Sequence, residues 1–355
     1  MTIRQLIVKI FRGLLPKKWQ QYLKANFDFF DLNVYKAHTR IYGTFYLPIY
    51  NSHGVIDGTE PDIYNSEGKK LHSFFLRDNQ FVTANPLASR YFIFNRYNFE
   101  LPVHFYTHNC MRQLIGTPQR RYGLLIEPRA VDWQDYQLLD RKPDLVKKFD
   151  RIFTFDEKLL DKYPNAYAFC YNAQIRLWGK LGRDNFREIC NIEKTKNISI
   201  VSSAKKLCDL HKMRYDWAVN FKKGSLVDTF GTFDGGGWAS TDDYLRDYRY
   251  SIVVENDIQP YWFTEKLLNC LALRVVPIYI GHPNMLKLFN PDGIILVEPK
   301  DYDNINEIIK QCSAADYEAR MPAIEDNFKR VQSYWSPFDS LYETFLQKDL
   351  QDITK

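Results

Sequence analysis

The chain alternates between short apolar runs and longer segments in which apolar residues recur at helical spacing. In its first half, the apolar runs predict strands over residues 41–46, 91–94, 103–106, 123–126 and 151–155. In its second half, the pattern predicts strands over 198–201, 250–255, 275–280 and 293–297, and helices over 207–221, 264–274 and about 337–350. Strands that alternate with helices form parallel sheets in doubly wound units. The pattern therefore indicates an α/β protein with two such units, which meet near residues 175–195.

The first 29 residues are predicted as a basic amphipathic segment. Apolar residues that would share one helix face are Ile3, Leu6, Ile7, Ile10, Phe11, Leu14 and Leu15. Residues 1–24 also hold six basic residues and no acidic one. Such a helix can lie in the surface of an anionic membrane, so this segment is a candidate for peripheral membrane contact. A helix packed on the body of the protein is an equally good interpretation.

The composition is that of a folded protein without an extended nucleic-acid-binding surface. Of 355 residues, 45% are hydrophobic and 26% are charged, and the length suggests two domains. The net charge is +5, but outside residues 1–24 the chain has 42 basic and 43 acidic residues. This balance argues against nucleic acid as a partner, since phosphate binding needs a basic face. Six dispersed cysteines favour reduced thiols of an intracellular protein, and no apolar stretch is long enough for a membrane-spanning helix.

The most informative stretch runs from the strand at 250–255 to the strand at 275–280. Seven residues there are candidates for nucleotide binding: Glu255, Asn256, Tyr261, Trp262, Thr264, Glu265 and Lys266. Open α/β sheets bind ligands at the carboxyl ends of their strands, and a helix N-terminus offers backbone N–H groups to phosphate. Thr264 suits the N-cap, Lys266 adds positive charge in the first turn, and the aromatic residues could stack on a base. A capped helix with solvated charged residues would show the same spacing.

This arrangement resembles the signature of glycosyltransferase family ten, the α-1,3/1,4-fucosyltransferases that use GDP-fucose, in its bacterial type. The resemblance spans about residues 198–300 and includes Thr-Glu-Lys, the hydrophobic-Pro-hydrophobic-Gly strand that ends at Gly281, and an upstream Ser202-Ser203. It implies that Arg214 and Lys266 hold the donor pyrophosphate, that Ser202 is part of the donor site, and that Glu265 binds donor hydroxyls. Two positions depart from the family pattern: Trp262 replaces a usual Tyr, and Ser203 replaces a common Asn.

The resemblance also implies an architecture. We expect a GT-B-like fold in which two doubly wound Rossmann-like domains face a cleft. Residues 30–185 would bind the acceptor, residues 186–335 would bind the nucleotide sugar, and residues 336–355 would form a C-terminal helix.

Glu127 is the candidate catalytic base. It follows the strand predicted at 123–126 and resembles the Glu of the family's N-terminal domain. An inverting sugar transfer needs a group that accepts the acceptor's hydroxyl proton as the new bond forms. Asp156 and Glu157 are weaker alternatives for the base. Glu127 could also be an ordinary solvated residue before Pro128 with no catalytic role.

We predict no metal site and no required cofactor, although a divalent cation such as Mn²⁺ or Mg²⁺ could assist the leaving group. His104 and His108 are four residues apart, but a strand between them would place them poorly for a shared metal. Asp301-Tyr302-Asp303 is interpreted as a solvated loop, and the glycines at 235–237 as a flexible turn.

Taken with the resemblance, these features imply an α-1,3-fucosyltransferase that acts on an oligosaccharide or lipid-linked glycan, such as that of a lipopolysaccharide. The expected product has inverted configuration at the fucose, and the expected location is cytoplasmic, or peripheral at the inner face of the membrane. Three alternatives remain open: the same scaffold with another nucleotide sugar, a non-catalytic carbohydrate-binding relative, and a basic-armed membrane or nucleic-acid adaptor.

Overall fold

A computed structural model describes residues 16, 49–51, 54–56, 65, 67–78, 89–95, 98–177 and 193–353. Apart from Pro16, the predicted amphipathic segment lies outside these residues, and so does the strand predicted at 41–46. The strands are β1 (Ile49–Asn51), β2 (Gly54–Ile56), β3 (His72–Arg77), β4 (Phe92–Asn95), β5 (Val103–Thr107), β6 (Arg120–Leu124), β7 (Arg151–Thr154), β8 (Ala166–Ala168), β9 (Lys196–Val201), β10 (Asp228–Phe230), β11 (Tyr248–Val254), β12 (Val276–Ile280) and β13 (Ile295–Leu296).

Helices alternate with these strands through both halves of the described chain. They are α1 (Trp133–Arg141), α2 (Pro143–Val146), α3 (Glu157–Lys162), α4 (Asp209–Phe221), α5 (Thr241–Tyr244), α6 (Glu265–Ala272), α7 (Ile305–Gln311), α8 (Ala314–Ala319), α9 (Met321–Val331), α10 (Pro337–Leu341) and α11 (Gln347–Gln351). A π-helical turn, Tyr342–Leu346, joins the last two. No helix in the described parts of the chain is both long enough and apolar enough to cross a lipid bilayer.

Two separate parallel sheets confirm the predicted α/β class. The first has the strand order β4-β3-β5-β6-β7-β8, and its pairs from β4 to β7 are parallel. The second has the order β10-β9-β11-β12-β13 and is parallel throughout. In each sheet the strand order departs from chain order, as expected when helices carry the chain from one strand to the next parallel one.

The second sheet is buried on both faces. Successive residues of a strand point to opposite faces, and neighbours in β11 belong to different apolar clusters. Ile252 packs with Ile200 and Ile278 in one cluster. Val253 packs with Leu267 and other buried residues of α6 in the other. Burial on both faces explains why the last three residues of β11, Ile252, Val253 and Val254, are all apolar.

The described chain divides into two compact units whose limits differ from the predicted domains. The first unit holds the described residues up to Thr154, together with Leu159–Tyr167 and the chain from Phe338 onward. The second holds Phe155–Lys158 and Ala168–Pro337. The predicted boundary at 185 and the separate C-terminal helix therefore do not coincide with these limits.

Specific hydrogen bonds explain both differences. The Asn269 side chain accepts from the Arg176 backbone N–H at 2.7 Å and donates to its carbonyl at 2.7 Å, which holds this stretch in the second unit. Near the C-terminus, Asp349 accepts two hydrogen bonds from the Arg151 guanidinium, both at 2.7 Å, and one from Tyr122 Oη at 2.9 Å. These bonds attach the last helix to the first sheet.

Candidate functional site

A cavity of about 250 Å³ lies at the carboxyl ends of strands in the second sheet. Its lining includes Val201, Ser202 and Ser203 at the end of β9, the end of β11, Gly231 and Thr232 after β10, and Arg214, Glu265 and Lys266 from two helices. The carboxyl ends of parallel strands are where open α/β sheets bind ligands. The cavity therefore lies where the sequence predicted a donor site.

The N-terminus of α6 is fixed by a buried carboxylate. Thr264 caps the helix, because its hydroxyl accepts from the Lys266 backbone N–H at 3.3 Å. Directly after β11, Glu255 is 0% exposed and accepts from the Thr264 N–H and hydroxyl, both at 2.9 Å. Tyr279 Oη donates to the same carboxylate at 3.4 Å. Glu255 thus connects two neighbouring strands to the helix start and holds the cap in place.

The charges at this helix start depend on one another. Lys266 Nζ lies 3.8 Å from Glu255, 3.5 Å from Glu265 and 3.2 Å from the Thr264 hydroxyl, and the Lys266 side chain is 24% exposed. Burial raises the pKa of Glu255, an effect that the Lys266 charge opposes. Burial acts in the same direction on Glu265, but the charges of Lys266 and Arg176 outweigh it and lower the Glu265 pKa. Glu265 is therefore an anionic hydrogen-bond acceptor at the cavity wall.

Arg214 brings a second cationic group to the cavity from α4. Arg214 is 9% exposed, and its Nη1 donates to the Val254 carbonyl at 3.2 Å. Its Nε is buried and has no hydrogen-bond partner among the described residues. Burial lowers the pKa of Arg214, and Glu255 opposes this. A buried donor that the protein leaves unsatisfied is costly. Arg214 is among the residues that line the cavity, so it adds positive charge to the cavity wall.

Gly231 permits the close approach of two strand ends behind the cavity. Its φ is +101°, and a Cβ at this position would lie 2.2 Å from the Ser202 carbonyl oxygen. The Ser202 N–H donates to the Phe230 carbonyl at 2.9 Å across the same junction. Ser202 is itself buried beside the cavity. Only glycine fits here without moving Ser202.

Trp238 is a cavity residue that the sequence interpretation missed. It follows the glycines at 235–237, lines the cavity and is 70% exposed. An exposed indole beside a polar cavity offers a stacking surface for a base or a sugar. Its signal in the sequence is a single Trp after three glycines, a pattern that by itself predicts only a flexible turn.

Of the nine predicted donor-site residues, four line the cavity: Ser202, Arg214, Glu265 and Lys266. Five do not: Glu255, Asn256, Tyr261, Trp262 and Thr264. Glu255 and Thr264 lie beneath the helix start and position it. The predicted stacking of Trp262 on a base does not fit its place, because Trp262 is 1% exposed and packs on Phe155 with ring centroids 4.2 Å apart. Tyr261 is exposed, and the Asn256 amide oxygen pairs with His211 Nε2 at 2.8 Å.

None of the three candidate bases is among the residues that line this cavity. Glu127 comes three residues after the end of β6 in the first unit and is partly exposed. Its backbone N–H donates to His108 Nε2 at 3.1 Å, and its carbonyl accepts from Tyr136 Oη at 2.8 Å. The two weaker alternatives differ from each other: Asp156 is buried and Glu157 is exposed at the start of α3.

One cluster with metal-ligating side chains occurs within the described ranges. It consists of His108, Asp132 and Asp135, whose ligand atoms lie within 4.8 Å of one another. Asp301-Tyr302-Asp303, which the sequence predicts to be a solvated loop, lies in a short 3₁₀ helix, Pro299–Asn304. Its two carboxylates do not belong to the His108 cluster.

Comparison with known proteins identifies the domain that contains the cavity. Residues 192–321 match the model of the family described as Glycosyltransferase family 10 (fucosyltransferase) C-term. These residues are a glycosyltransferase family 10 domain. The match confirms the resemblance drawn from Thr264-Glu265-Lys266 and its flanking strands. All four predicted residues that line the cavity belong to this family 10 domain, and so does Trp238, whereas Glu127 lies outside it.

Two curated fucosyltransferases are similar to a part of the chain. The chain is 29% identical over 86 residues to an alpha-(1,3)-fucosyltransferase, FucT, of Helicobacter pylori. It is 28% identical over 91 residues to alpha-(1,3)-fucosyltransferase B of Drosophila melanogaster. The matches cover 24% and 26% of this chain, and 17% and 18% of the relatives. The similarity to these relatives is therefore confined to less than a fifth of their length.

Among solved structures, an alpha1,3-fucosyltransferase with GDP is similar to 81% of this chain and to 95% of its own, with a TM-score of 0.46 and 14% identity. The pneumococcal O-GlcNAc transferase GtfA with UDP and GlcNAc is similar over 71% of this chain and 57% of its own, with a TM-score of 0.43 and 12% identity. The family 10 assignment rests on the sequence match and not on these similarities.

Proposed function

We propose that this chain is an inverting α-1,3-fucosyltransferase that transfers L-fucose from GDP-fucose to a hydroxyl of a glycan containing N-acetylglucosamine or glucose. The observation that carries the proposal is the cavity of the family 10 domain, where a buried Arg214 and a helix N-terminus with Lys266 converge. The choice of fucose rests on the family description and on the names of the two curated relatives.

The proposed donor site uses three sources of positive potential for the pyrophosphate. Arg214 supplies a guanidinium group, Lys266 supplies an ammonium group, and the first turn of α6 supplies backbone N–H groups at the positive end of the helix dipole. Negative charge develops on the diphosphate as its bond to the sugar breaks, so donors fixed in advance lower the barrier. Glu265, held anionic by Lys266 and Arg176, accepts hydrogen bonds from donor hydroxyl groups.

The proposed reaction is a single displacement. The Glu127 carboxylate accepts the proton of the acceptor hydroxyl, whose oxygen forms a bond to the anomeric carbon of fucose. The bond between that carbon and the β-phosphate oxygen breaks at the same time, and GDP leaves with the electron pair. Attack from the side opposite the leaving group converts β-linked fucose in GDP-fucose into an α-fucoside.

The first experiment is a thermal-shift measurement with GDP, UDP, CMP, ADP, GDP-fucose and GDP-mannose. A ligand that binds only the folded protein stabilises it by about 2.7 kcal/mol at a hundredfold excess over Kd. We expect GDP and GDP-fucose to stabilise the folded protein more than the other nucleotides do. A preference for another nucleotide would keep the transferase and overturn fucose, and no stabilisation by any nucleotide would favour a carbohydrate-binding relative.

Two variants then separate binding from chemistry. Lys266→Ala should weaken GDP binding about tenfold or more, whereas Lys310→Ala, an exposed lysine on α7 outside the cavity, should leave the Kd unchanged. Glu127→Gln should lower kcat by about 100-fold or more while the Kd for GDP stays unchanged. Glu318→Gln, at an exposed carboxylate of α8 outside the cavity, is the control for loss of a carboxylate. Normal turnover in Glu127→Gln would exclude this residue as the base.

A further inference from the structure

His108 occupies a strained position at the end of β5. It is buried, begins a short 3₁₀ helix, His108–Arg112, and has a φ of +45°. In the described part of the chain, only one other non-glycine residue, Arg274, has a positive φ. For a residue with a Cβ such a conformation costs on the order of 1–3 kcal/mol, and it persists where the surrounding contacts enforce it. The contacts of His108 show what this conformation achieves.

The imidazole of His108 accepts two backbone hydrogen bonds at one nitrogen. Nε2 lies 2.7 Å from the backbone N of Ile126 and 3.1 Å from the backbone N of Glu127. A ring nitrogen that accepts carries no proton, so the ring proton is on Nδ1. Nδ1 lies 3.1 Å from an Asp135 carboxylate oxygen, which can accept that proton's hydrogen bond. The hydrogen bonds therefore select one tautomer and one ring orientation.

The backbone carbonyl of Glu127 is bound by a side chain of α1, the helix that also carries Asp135. The Glu127 carbonyl accepts from Tyr136 Oη at 2.8 Å, and Tyr136 is buried next to Asp135 on α1. The Tyr136 ring also meets the His108 ring edge to face, with centroids 6.3 Å apart. The peptide groups on both sides of Glu127 are thus bound by side chains from two different elements.

A metal at this cluster would need the lone pair of His108 Nδ1. The two oxygens of Asp132 and Asp135 lie near enough to Nδ1 to complete a site. However, Nδ1 carries the proton while Nε2 accepts from Ile126 and Glu127. A nitrogen that carries a proton cannot bind a cation. The geometry favours a hydrogen-bonded orienting chain over a metal centre.

We propose that His108, oriented by Asp135, is a positioning residue that fixes the backbone of Glu127 and so presents its carboxylate to the acceptor hydroxyl. This inference rests on the proposed role of Glu127 as the base. It adds a residue outside the family 10 domain, and it explains why a strained, buried histidine lies at this strand end.

The test compares His108→Leu with His108→Gln and with His104→Leu. Leucine cannot accept the two N–H groups, whereas the Gln side-chain oxygen can reach the place of Nε2. His104 is a second buried histidine on the same strand, so His104→Leu controls for the loss of a buried ring. We expect His108→Leu to lower kcat about 10- to 100-fold with unchanged donor KM. His108→Gln should recover most of this loss, and His104→Leu should retain kcat.

A double variant separates positioning from general destabilisation. In the Glu127→Gln background, His108→Leu should cause almost no further loss of kcat, because it acts through the carboxylate that is already gone. If His108→Leu lowered kcat by the same factor in the Glu127→Gln background as in the wild type, the inference would be overturned. If Glu127→Gln alone kept normal turnover, the proposed base would fail first. If Glu127→Gln lost activity but His108→Leu did not, only the positioning role would fail.

Two further measurements keep the inference testable if His108→Leu does not fold. Asp135→Asn should lower kcat while the Kd for GDP stays unchanged, and it should cause almost no further loss of kcat in the Glu127→Gln background; a normal kcat in Asp135→Asn would overturn the inference. Activity that is lost on chelation, restored by Mn²⁺ and lost again in Asp132→Asn would indicate a metal centre instead. That result would also overturn the positioning role.

Discussion

Trp238 shows how one exposed residue can matter for binding without contributing to stability. Its side chain lines the cavity, and its 70% exposure means that few contacts with the protein are lost on truncation. Stacking of a base on an aromatic ring contributes about 1–3 kcal/mol. We expect Trp238→Ala to weaken GDP binding about tenfold and Trp238→Phe to retain most of the affinity.

The matched control is Trp133→Ala in the first unit, a tryptophan that is 53% exposed and does not line the cavity. Isothermal titration with GDP measures all three variants. Unchanged affinity in Trp238→Ala would remove this residue from the binding site. Unfolding by urea should give the same midpoint for wild type and both alanine variants.

At the level of single residues, the sequence predicts which side chains lie near the strand ends better than it predicts their exposure. Arg214, Glu265 and Lys266 all line the cavity. Glu265 and Lys266 lie in the first turn of α6, and Arg214 lies on α4, the helix that follows β9. Glu255 and Trp262 were predicted to contact the donor, yet both are buried. Sequence position places a side chain near a strand end, but its direction depends on packing against residues far along the chain, such as Tyr279 and Phe155.

Among the structural elements, the junction of β9 and β10 depends on a glycine. Gly231→Ala would place a Cβ 2.2 Å from the Ser202 carbonyl oxygen in addition to the strain of a φ of +101°. We expect this change to lower the free energy of unfolding by about 3 kcal/mol or more and to weaken GDP binding, because Ser202 must move.

Gly235→Ala is the matched control for this substitution. Its φ is +85°, and a Cβ would meet nothing within 4 Å. It should therefore show only the cost of backbone strain, about 1–2 kcal/mol, with GDP affinity intact. Equal losses in the two variants, measured by urea unfolding, would mean that the contact with Ser202 has no role.

The predicted bounds of two elements in the second unit agree closely with the structure. The helix predicted over 207–221 is observed as Asp209–Phe221, and the strand predicted over 275–280 as Val276–Ile280. The three-residue β10 was not predicted, since a run this short has no measurable period. The predicted C-terminal helix is interrupted by a π-helical turn over Tyr342–Leu346, which apolar spacing does not reveal.

On the scale of the whole molecule, the C-terminal segment is bound to the first unit through Asp349. Burial would raise the pKa of this carboxyl, but hydrogen bonds from Arg151 and Tyr122 outweigh it and hold the pKa below its ordinary value. Because the pKa of Asp349 is lower in the folded protein than in the unfolded chain, where it is near 3.8, the ionised carboxylate stabilises the fold at pH values above 3.8. This stabilisation is lost as the pH falls through the pKa of the folded state.

We therefore expect Asp349→Asn to destabilise the protein by about 2 kcal/mol at pH 7. The difference from wild type should shrink as the pH falls below about 4, because the wild-type carboxyl then becomes protonated as well. Urea unfolding at pH 7, 5, 4 and 3 measures this. Asp352→Asn, an exposed neighbour, should behave as wild type. A difference that stays constant with pH would contradict the ionic role of Asp349.

The division of the chain has a consequence for synthesis on the ribosome. The first unit needs the segment from Phe338 onward, whereas the second is complete at Pro337. Domains of most proteins fold in the order in which they emerge, but here the later unit has all its residues before the earlier one does. We expect the N-terminal strands to wait, incompletely covered, until Asp349 has left the exit tunnel.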